Sequence, residues 1–439
     1  MPRPIVLLHG YSDQGASFST WKAILMQNGY AETDIKVCSY RSLVNEINIS
    51  DIAEGLEAVL AQAGIGPNDH FDAVVHSTGM LVLRSWLARF AKNVRRLKHL
   101  IGLAPATFGS PLAAKGRSFI GALVKGNKEP GPDFLEPGDL FLDALECGSR
   151  FTWDLAHKDL LGGKVFYGPG PNTPYPFIFV GTEPFDGFAR FASDPGTDGC
   201  VRWSQVGLNA VKFTLDLAGP PGGAEEARRT HSDPPRIELP VTLLGKMNHG
   251  TILSKPTPEL QKLFLSALAV NDEVAYAKWV IDAAAVSDPV KAKVKPYQHF
   301  VTRVVDERGD GVKDYFLDLF TRDSKGKEKS LTKQADLDIH PYSADPSYRS
   351  IHVDLSRLKD AMKGDIRLRL IANTGTNYAK YVGFQAEIET GGPSWSAEIE
   401  LPTSTSKTGL AFFYPFSTTL VEIVLNRQVA DVIKLGTGF

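Results

Sequence analysis

The chain has 439 residues, 43% of them hydrophobic and 22% charged, with a formal net charge of −2. It is long enough for more than one core, and its charge balance points to no nucleic-acid or polyanion partner. No apolar run approaches the roughly 20 residues of a transmembrane helix, and Cys38, Cys147 and Cys200 are too scattered for a metal motif or a disulfide framework.

In chain order, Met1 to Gly10 is too short before its glycine for a secretory apolar region and reads as a strand over Ile5–Leu8, followed by His9-Gly10-Tyr11-Ser12. With Met1 as the start, the protein is expected to be cytoplasmic or exported without a cleaved signal. Ser17 to Asn28 carries Phe18, Trp21 and Leu25 on one helical face, and Asp34–Tyr40 reads as a second strand. Asp51, with Glu54 three residues on, has the spacing of a helix-capping box. Phe71–Val75 is an apolar strand that runs through His76-Ser77-Thr78-Gly79 into a helix over Leu81–Trp86. Strands follow at Leu97–Leu103, Phe177–Val180 and Val241–Leu244. A last helix begins at Thr257-Pro258-Glu259, with proline at its first position. Strands separated by helices predict an α/β protein with a doubly wound, mostly parallel sheet.

In such a sheet, chemistry collects beyond the carboxyl ends of the strands. Ser77 follows one strand at a sharp strand-to-helix turn, where its hydroxyl is exposed near spare backbone N–H groups. A loop with Glu183, Asp186, Asp194 and Asp198 follows Phe177–Val180, and Asn248-His249-Gly250 follows Val241–Leu244. The order serine, acid, histidine suits acyl transfer, with His249 as the base for Ser77 and Asp198 orienting the histidine. Competing readings stand beside each role. Ser77 could merely cap a helix, His249 could be an ordinary loop histidine, and Asp198 could merely shape the Pro195-Gly196-Thr197-Asp198-Gly199 turn, leaving Asp186 or Asp194 as the acid. His9 is expected to brace the loop after the first strand, and His76 to pack beside the turn.

These segments resemble the α/β-hydrolase superfamily, and within it the bacterial lipases and esterases, over roughly residues 1 to 280. Leu7-Leu8-His9-Gly10-Tyr11 is similar to the family's oxyanion segment, Thr197-Asp198-Gly199-Cys200-Val201 to its acid loop, and Asn248-His249-Gly250 to its histidine loop. Ala104 to Pro111 and Leu135 to Leu145 resemble the approach to a lid and the lid itself. The resemblance implies an acyl-enzyme on Ser77 and an oxyanion hole from the backbone N–H groups of Tyr11 and Thr78. It implies a small-molecule or lipid ester substrate, peripheral contact with a lipid interface, and no cofactor. Calcium in the Asp-rich loop has no spacing signature. The family pattern has glycine two positions either side of the serine; Gly79 keeps the second and Val75 replaces the first. A thioesterase, amidase or acyltransferase would share the triad, and a non-catalytic binding protein could share the scaffold.

Residues 109–175 are too long for a simple strand connection and read as a helical cap, docked rather than swinging. Ser287-Asp288-Pro289 and the lysines up to Pro296 read as the junction between a catalytic domain, 1–288, and a second domain, 296–439. Beyond it the period becomes two, as in Ile366, Leu368 and Leu370, and a hairpin is expected at Arg308-Gly309-Asp310-Gly311. This predicts an antiparallel β-sandwich without catalytic groups.

Overall fold

The computed structural model describes residues 2–11, 15–114, 138–170, 172–185, 193–219, 228–231, 239–335, 337–384, 394–401, 412–429 and 432. Two compact units emerge. The first is Met1–Ala210 with Pro235–Lys295, and the second is Val211–Pro234 with Pro296–Phe439.

In the first unit β1 (Ile5–Leu8), β2 (Ile35–Cys38), β3 (Phe71–His76), β4 (Leu97–Leu103) and β5 (Tyr175–Gly181) succeed one another. The chain then gives β6 (Val211–Asp216) and β7 (Arg229–His231) to the second unit and returns as β8 (Val241–Leu244). The six strands of the first unit pair in parallel in the order β2-β1-β3-β4-β5-β8. β1, β3, β5 and β8 are buried at every position, which is why they read as unbroken apolar runs rather than alternating ones. The strand order reverses between β1 and β3, so a crevice is expected beyond their carboxyl ends. His9-Gly10-Tyr11 and Ser77 leave the sheet there.

Two local expectations change. Asn48, not Asp51, caps the Ile49–Gln62 helix: Asp51 N–H donates to Asn48 Oδ1 (3.0 Å), and Asn48 N–H donates to Asp51 Oδ2 (2.9 Å). Asp51 is the second half of the box rather than its start. Ser287-Asp288-Pro289 is not a junction but the last turns of a helix, Glu273–Lys291. Tyr276, Trp279, Ala283 and Ser287 form its buried face, and Ser287 Oγ accepts from the Leu243 N–H of edge strand β8 at 2.9 Å. The proline is tolerated near the helix end, and exposed Val274 and Ile281 blur the helical period.

The second unit contains β9 (Tyr297–Asp306), β10 (Tyr315–Arg322), β11 (Glu328–Ser330), β12 (Asp338–Pro341), β13 (Tyr348–Asp354), β14 (Ile366–Asn373), β15 (Ala379–Val382), β16 (Ser394–Leu401) and β17 (Thr418–Val429). One sheet is antiparallel, β11-β10-β14-β16; the larger runs β12-β13-β9-β17-β6-β7, with β15 also on β17. β17 lies parallel to both β9 and β6, so the centre of the larger sheet is mixed. A core with Phe300, Val304, Leu368, Leu370, Trp395 and Ile423 takes side chains from both sheets. The alternation in β14 and β16 was legible, but the expected hairpin is only local: Val305 and Gly311 pair antiparallel across the turn, and the strands it was expected to join do not pair. β9 and β10 belong to different sheets, and the turn whose Arg308 and Asp310 N–H groups donate to Asp306 Oδ1 carries the chain from one sheet to the other. Among the described residues no helix is long and apolar enough to cross a membrane.

Candidate active site

β3 ends at His76 and the next helix, Gly79–Arg89, begins two residues later. Ser77 between them has φ 53°, a left-handed conformation that costs a non-glycine residue energy. Main-chain bonds hold it there. Its N–H donates to the Leu103 carbonyl (3.3 Å), and its carbonyl accepts from Ala106 N–H (2.9 Å) and Met80 N–H (3.3 Å). Two glycines allow the close approach around it. A Cβ on Gly79 would lie 2.7 Å from the Leu8 carbonyl oxygen, and one on Gly10 would lie 2.8 Å from Ser77 Cβ. Val75 is wholly buried, and its register partner on β4 is Gly102. Register partners in a parallel pair face the same side, so the bulk on β3 meets no side chain from its β4 neighbour.

Ser77 is half-buried, and its Oγ has no hydrogen-bond partner among the described residues. Thr78 is fully buried, and its backbone N–H likewise donates to no acceptor among them. Tyr11 lies beyond Gly10, with its ring 5.8 Å from that of Phe141. Burial, and then the charge of Asp139, push the Tyr11 hydroxyl above its ordinary pKa. The loop is braced as expected of His9. That ring stacks on Tyr40 at 4.2 Å, accepts from Tyr40 N–H through Nε2 (3.0 Å), and donates from Nδ1 to the Gly10 carbonyl (2.7 Å). The Tyr40 hydroxyl donates back to the His9 carbonyl at 2.6 Å.

Asp198 is fully buried in a tight turn, with Gly196 and Gly199 at φ 80° and 108°. Its two oxygens divide the work. Oδ1 accepts from Cys200 N–H (3.0 Å) and Val201 N–H (2.9 Å), which closes the turn. Oδ2 lies 3.0 Å from His249 Nδ1, and the Asp198 carbonyl accepts from His249 N–H at 2.9 Å. The turn-shaping and histidine-orienting readings of Asp198 therefore describe different atoms of one side chain. Of the alternatives, Asp186 lies outside the described residues, and Asp194 accepts from Thr197 Oγ1 through its carbonyl (2.7 Å). His249 Nε2 has no partner among the described residues, and it is not hydrogen-bonded to Ser77 Oγ.

The fold thus joins Asp198 to His249 and sets both near the turn of Ser77 through one contact that the sequence did not suggest. His76 Nε2 lies 3.1 Å from the His249 carbonyl, and the two rings are 4.6 Å apart. Tyr40 was missed because it reads as the end of an ordinary strand and no local signal places it on His9; Phe141 was expected only as one of the cap's apolar residues, with no signal for its place beside Tyr11. Of the cap, residues 115–137 lie outside the described residues, including Phe119, Leu123 and Phe134. Its Asp139–Leu145 helix brings Phe141 against Tyr11 and Tyr40. Among the described residues no group of three His, Cys, Asp or Glu side chains is placed to hold a metal ion.

No protein-family model and no curated protein matches this chain. Among solved structures it is similar to phospholipase PlaB from Legionella pneumophila in complex with thio-NAD, with TM-score 0.81 and 20% identity over 99% of this chain and 96% of that one. A second structure of that phospholipase matches with TM-score 0.79 and 19% identity over 100% and 97% of the two chains. At this identity the likeness establishes the fold alone: an α/β-hydrolase sheet and a β-rich unit, interleaved in sequence.

Proposed function

We propose that this protein is a serine carboxylic-ester hydrolase of the lipase and esterase type, working through an acyl-enzyme on Ser77. The observation that carries the reading is the strained Ser77 turn, in one parallel sheet with the buried Asp198–His249 pair. A left-handed serine is retained only where the surroundings over-determine it, and such strain gathers at functional sites.

In this reading Ser77 Oγ attacks the acyl carbonyl carbon, and its proton passes to His249 Nε2. Asp198 keeps the hydrogen on Nδ1 and balances the imidazolium. The negative oxygen of the tetrahedral intermediate accepts from the N–H groups of Thr78 and Tyr11. Collapse expels the alcohol, which takes the proton from His249, and water then repeats the sequence on the acyl-enzyme. The unbonded Ser77 and His249 fit a resting enzyme, because catalytic hydrogen bonds often tighten only with substrate bound.

An acyl ester of a lipid is the substrate class favoured here. Supporting it are the apolar rings of Tyr11, Tyr40 and Phe141 beside the site and the full-length fold match to a phospholipase. A peripheral approach to a lipid surface belongs to the same proposal. Thioesterase, amidase or acyltransferase action would use the same groups with another acceptor.

The test is covalent labelling with a fluorophosphonate, followed by mapping of the modified residue and rates on nitrophenyl esters of increasing acyl length. Ser77→Ala is expected to abolish both labelling and turnover, with little change in thermal stability. Labelling elsewhere, or turnover retained in that variant, would sink the assignment.

A further inference from the structure

We propose that His76, the residue before the candidate nucleophile, is a positioning residue that sets the separation of Ser77 from the base His249. The inference rests on the hydrolase reading above.

The His249 carbonyl can only accept, so the His76 Nε2 that lies 3.1 Å from it carries the hydrogen. A neutral imidazole has one ring hydrogen, which leaves Nδ1 bare. Nδ1 is buried without a hydrogen-bond partner among the described residues, on the side of Gly10, where an added Cβ would come within 3.2 Å of it. With no acceptor for a second ring hydrogen, and almost no solvent, the ring is confined to the neutral state. Burial and then the neighbouring rings of His249 and His9 hold its pKa well below the usual histidine range. The titratable groups around it are those two histidines, with Asp198 on the far side of His249. His76 is therefore a fixed donor and not a second base.

The main chain of His249 is held at both ends. Its N–H is bound by the Asp198 carbonyl and its C=O by His76. The first bond ties the base to the acid loop. The second ties it to the residue one peptide bond from Ser77. Ser77 Oγ and His249 Nε2 do not bond directly in this structure, and the His76 bond links the main chain of His249 directly to the Ser77 turn. The His76 ring, 4.6 Å from that of His249 and tilted by 47°, also limits rotation of the imidazole. Misplacing a catalytic group by about 1 Å can cost about a hundredfold in rate.

The experiment compares full-length wild type with His76→Leu, His76→Gln and Ser77→Ala, by steady-state hydrolysis of a short-chain nitrophenyl ester and by the rate of fluorophosphonate labelling. Leucine keeps the bulk without the donor, while glutamine can place an N–H near the position of Nε2. His76→Leu is expected to lower kcat and the labelling rate by about 10- to 100-fold, with KM within about twofold. His76→Gln should recover most of the rate. Wild-type rates in folded His76→Leu, or equal losses in both variants, would overturn the proposal. If Ser77→Ala still reacts, the hydrolase reading itself fails. If Ser77→Ala is inert and His76→Leu is fast, only the positioning role fails. Should His76→Leu not fold, ¹⁵N shifts of His76 in the wild type decide. A protonated Nε2 and a bare Nδ1 are expected from about pH 5 to 9, and a protonated Nδ1 or a titration in that range would refute the role.

Discussion

Val75 stands where the hydrolase pattern has glycine, and its surroundings show why the turn tolerates it. The side chain is fully buried in β3 with Gly102 beside it on β4. Val75→Gly should therefore destabilise the protein, by roughly 2–4 kcal/mol from lost burial and added chain entropy, and leave kcat within about threefold. Thermal melts and ester kinetics check this; a large gain in kcat would mean that Val75 strains the turn. Asp198→Asn poses a different problem. Asparagine can keep an oxygen for the Cys200 and Val201 N–H groups, so the turn should survive. Its amide then presents hydrogens to His249 Nδ1 and favours the wrong tautomer, for an expected loss in kcat of about 10³- to 10⁴-fold. Asp194→Asn should stay within about threefold. A larger loss at Asp194 would remove Asp198 from the acid role.

At the scale of elements, the segment expected to form a cap is tied in its described part to the Gly79–Arg89 helix by a buried ion pair. Its Arg150–Asp159 helix ends on Asp159, which pairs through both oxygens with Arg84 of the Gly79–Arg89 helix, at 2.8 Å each. Both side chains are fully buried. Arg84 also donates to the Thr107 carbonyl (2.6 Å), and the Tyr167 hydroxyl donates to Asp159 (2.7 Å). A buried ion pair adds little net stability over apolar residues, but removing one partner leaves a stranded charge. Asp159→Leu is expected to cost about 3–5 kcal/mol. Arg84→Met combined with Asp159→Leu should cost less than the sum of the single changes, because no stranded charge remains. Denaturation of the four proteins measures that coupling, and strict additivity would mean that the pair does not act as a unit. The helix before β3 illustrates the limit of local reading: its box was visible in outline, but the capping residue lay three positions earlier than expected.

At the scale of the molecule, the long interval between Asp198 and His249 has a structural cause. After the Asp198 loop the chain contributes β6 and β7 to the second unit before returning as β8. The two units are thus interleaved in sequence, and a division at 288 and 296 leaves residues 211–234 on the wrong side. Val211, Phe213, Leu215 and Leu217 are buried in the second unit's core. A chain ended after Lys295 would expose them, and it is expected to aggregate. Replacing residues 211–234 by a short flexible linker in that shortened chain should restore solubility and fluorophosphonate labelling. Size-exclusion profiles and labelling of the two shortened proteins test this. A soluble, reactive chain that keeps residues 211–234 would show that β6 does not need its partners.

The sequence by itself determined the parallel sheet, the Ser77 turn and the order of serine, acid and histidine, because each is written in contiguous residues: an unbroken apolar run, a turn dipeptide, a loop just past a strand. The period-two segments Ile366–Leu370 and Trp395–Leu401 were legible for the same reason. Only the tertiary structure decided which atoms of Asp198 serve the turn and which face His249, that His76 bonds the His249 carbonyl, and that β9 and β10 part into different sheets. It also decided that β6 crosses into the second unit and that Ser287 lies inside a helix against β8. These are pairings between residues far apart in the chain, where partner choice depends on burial and register across the fold, and no local pattern encodes them.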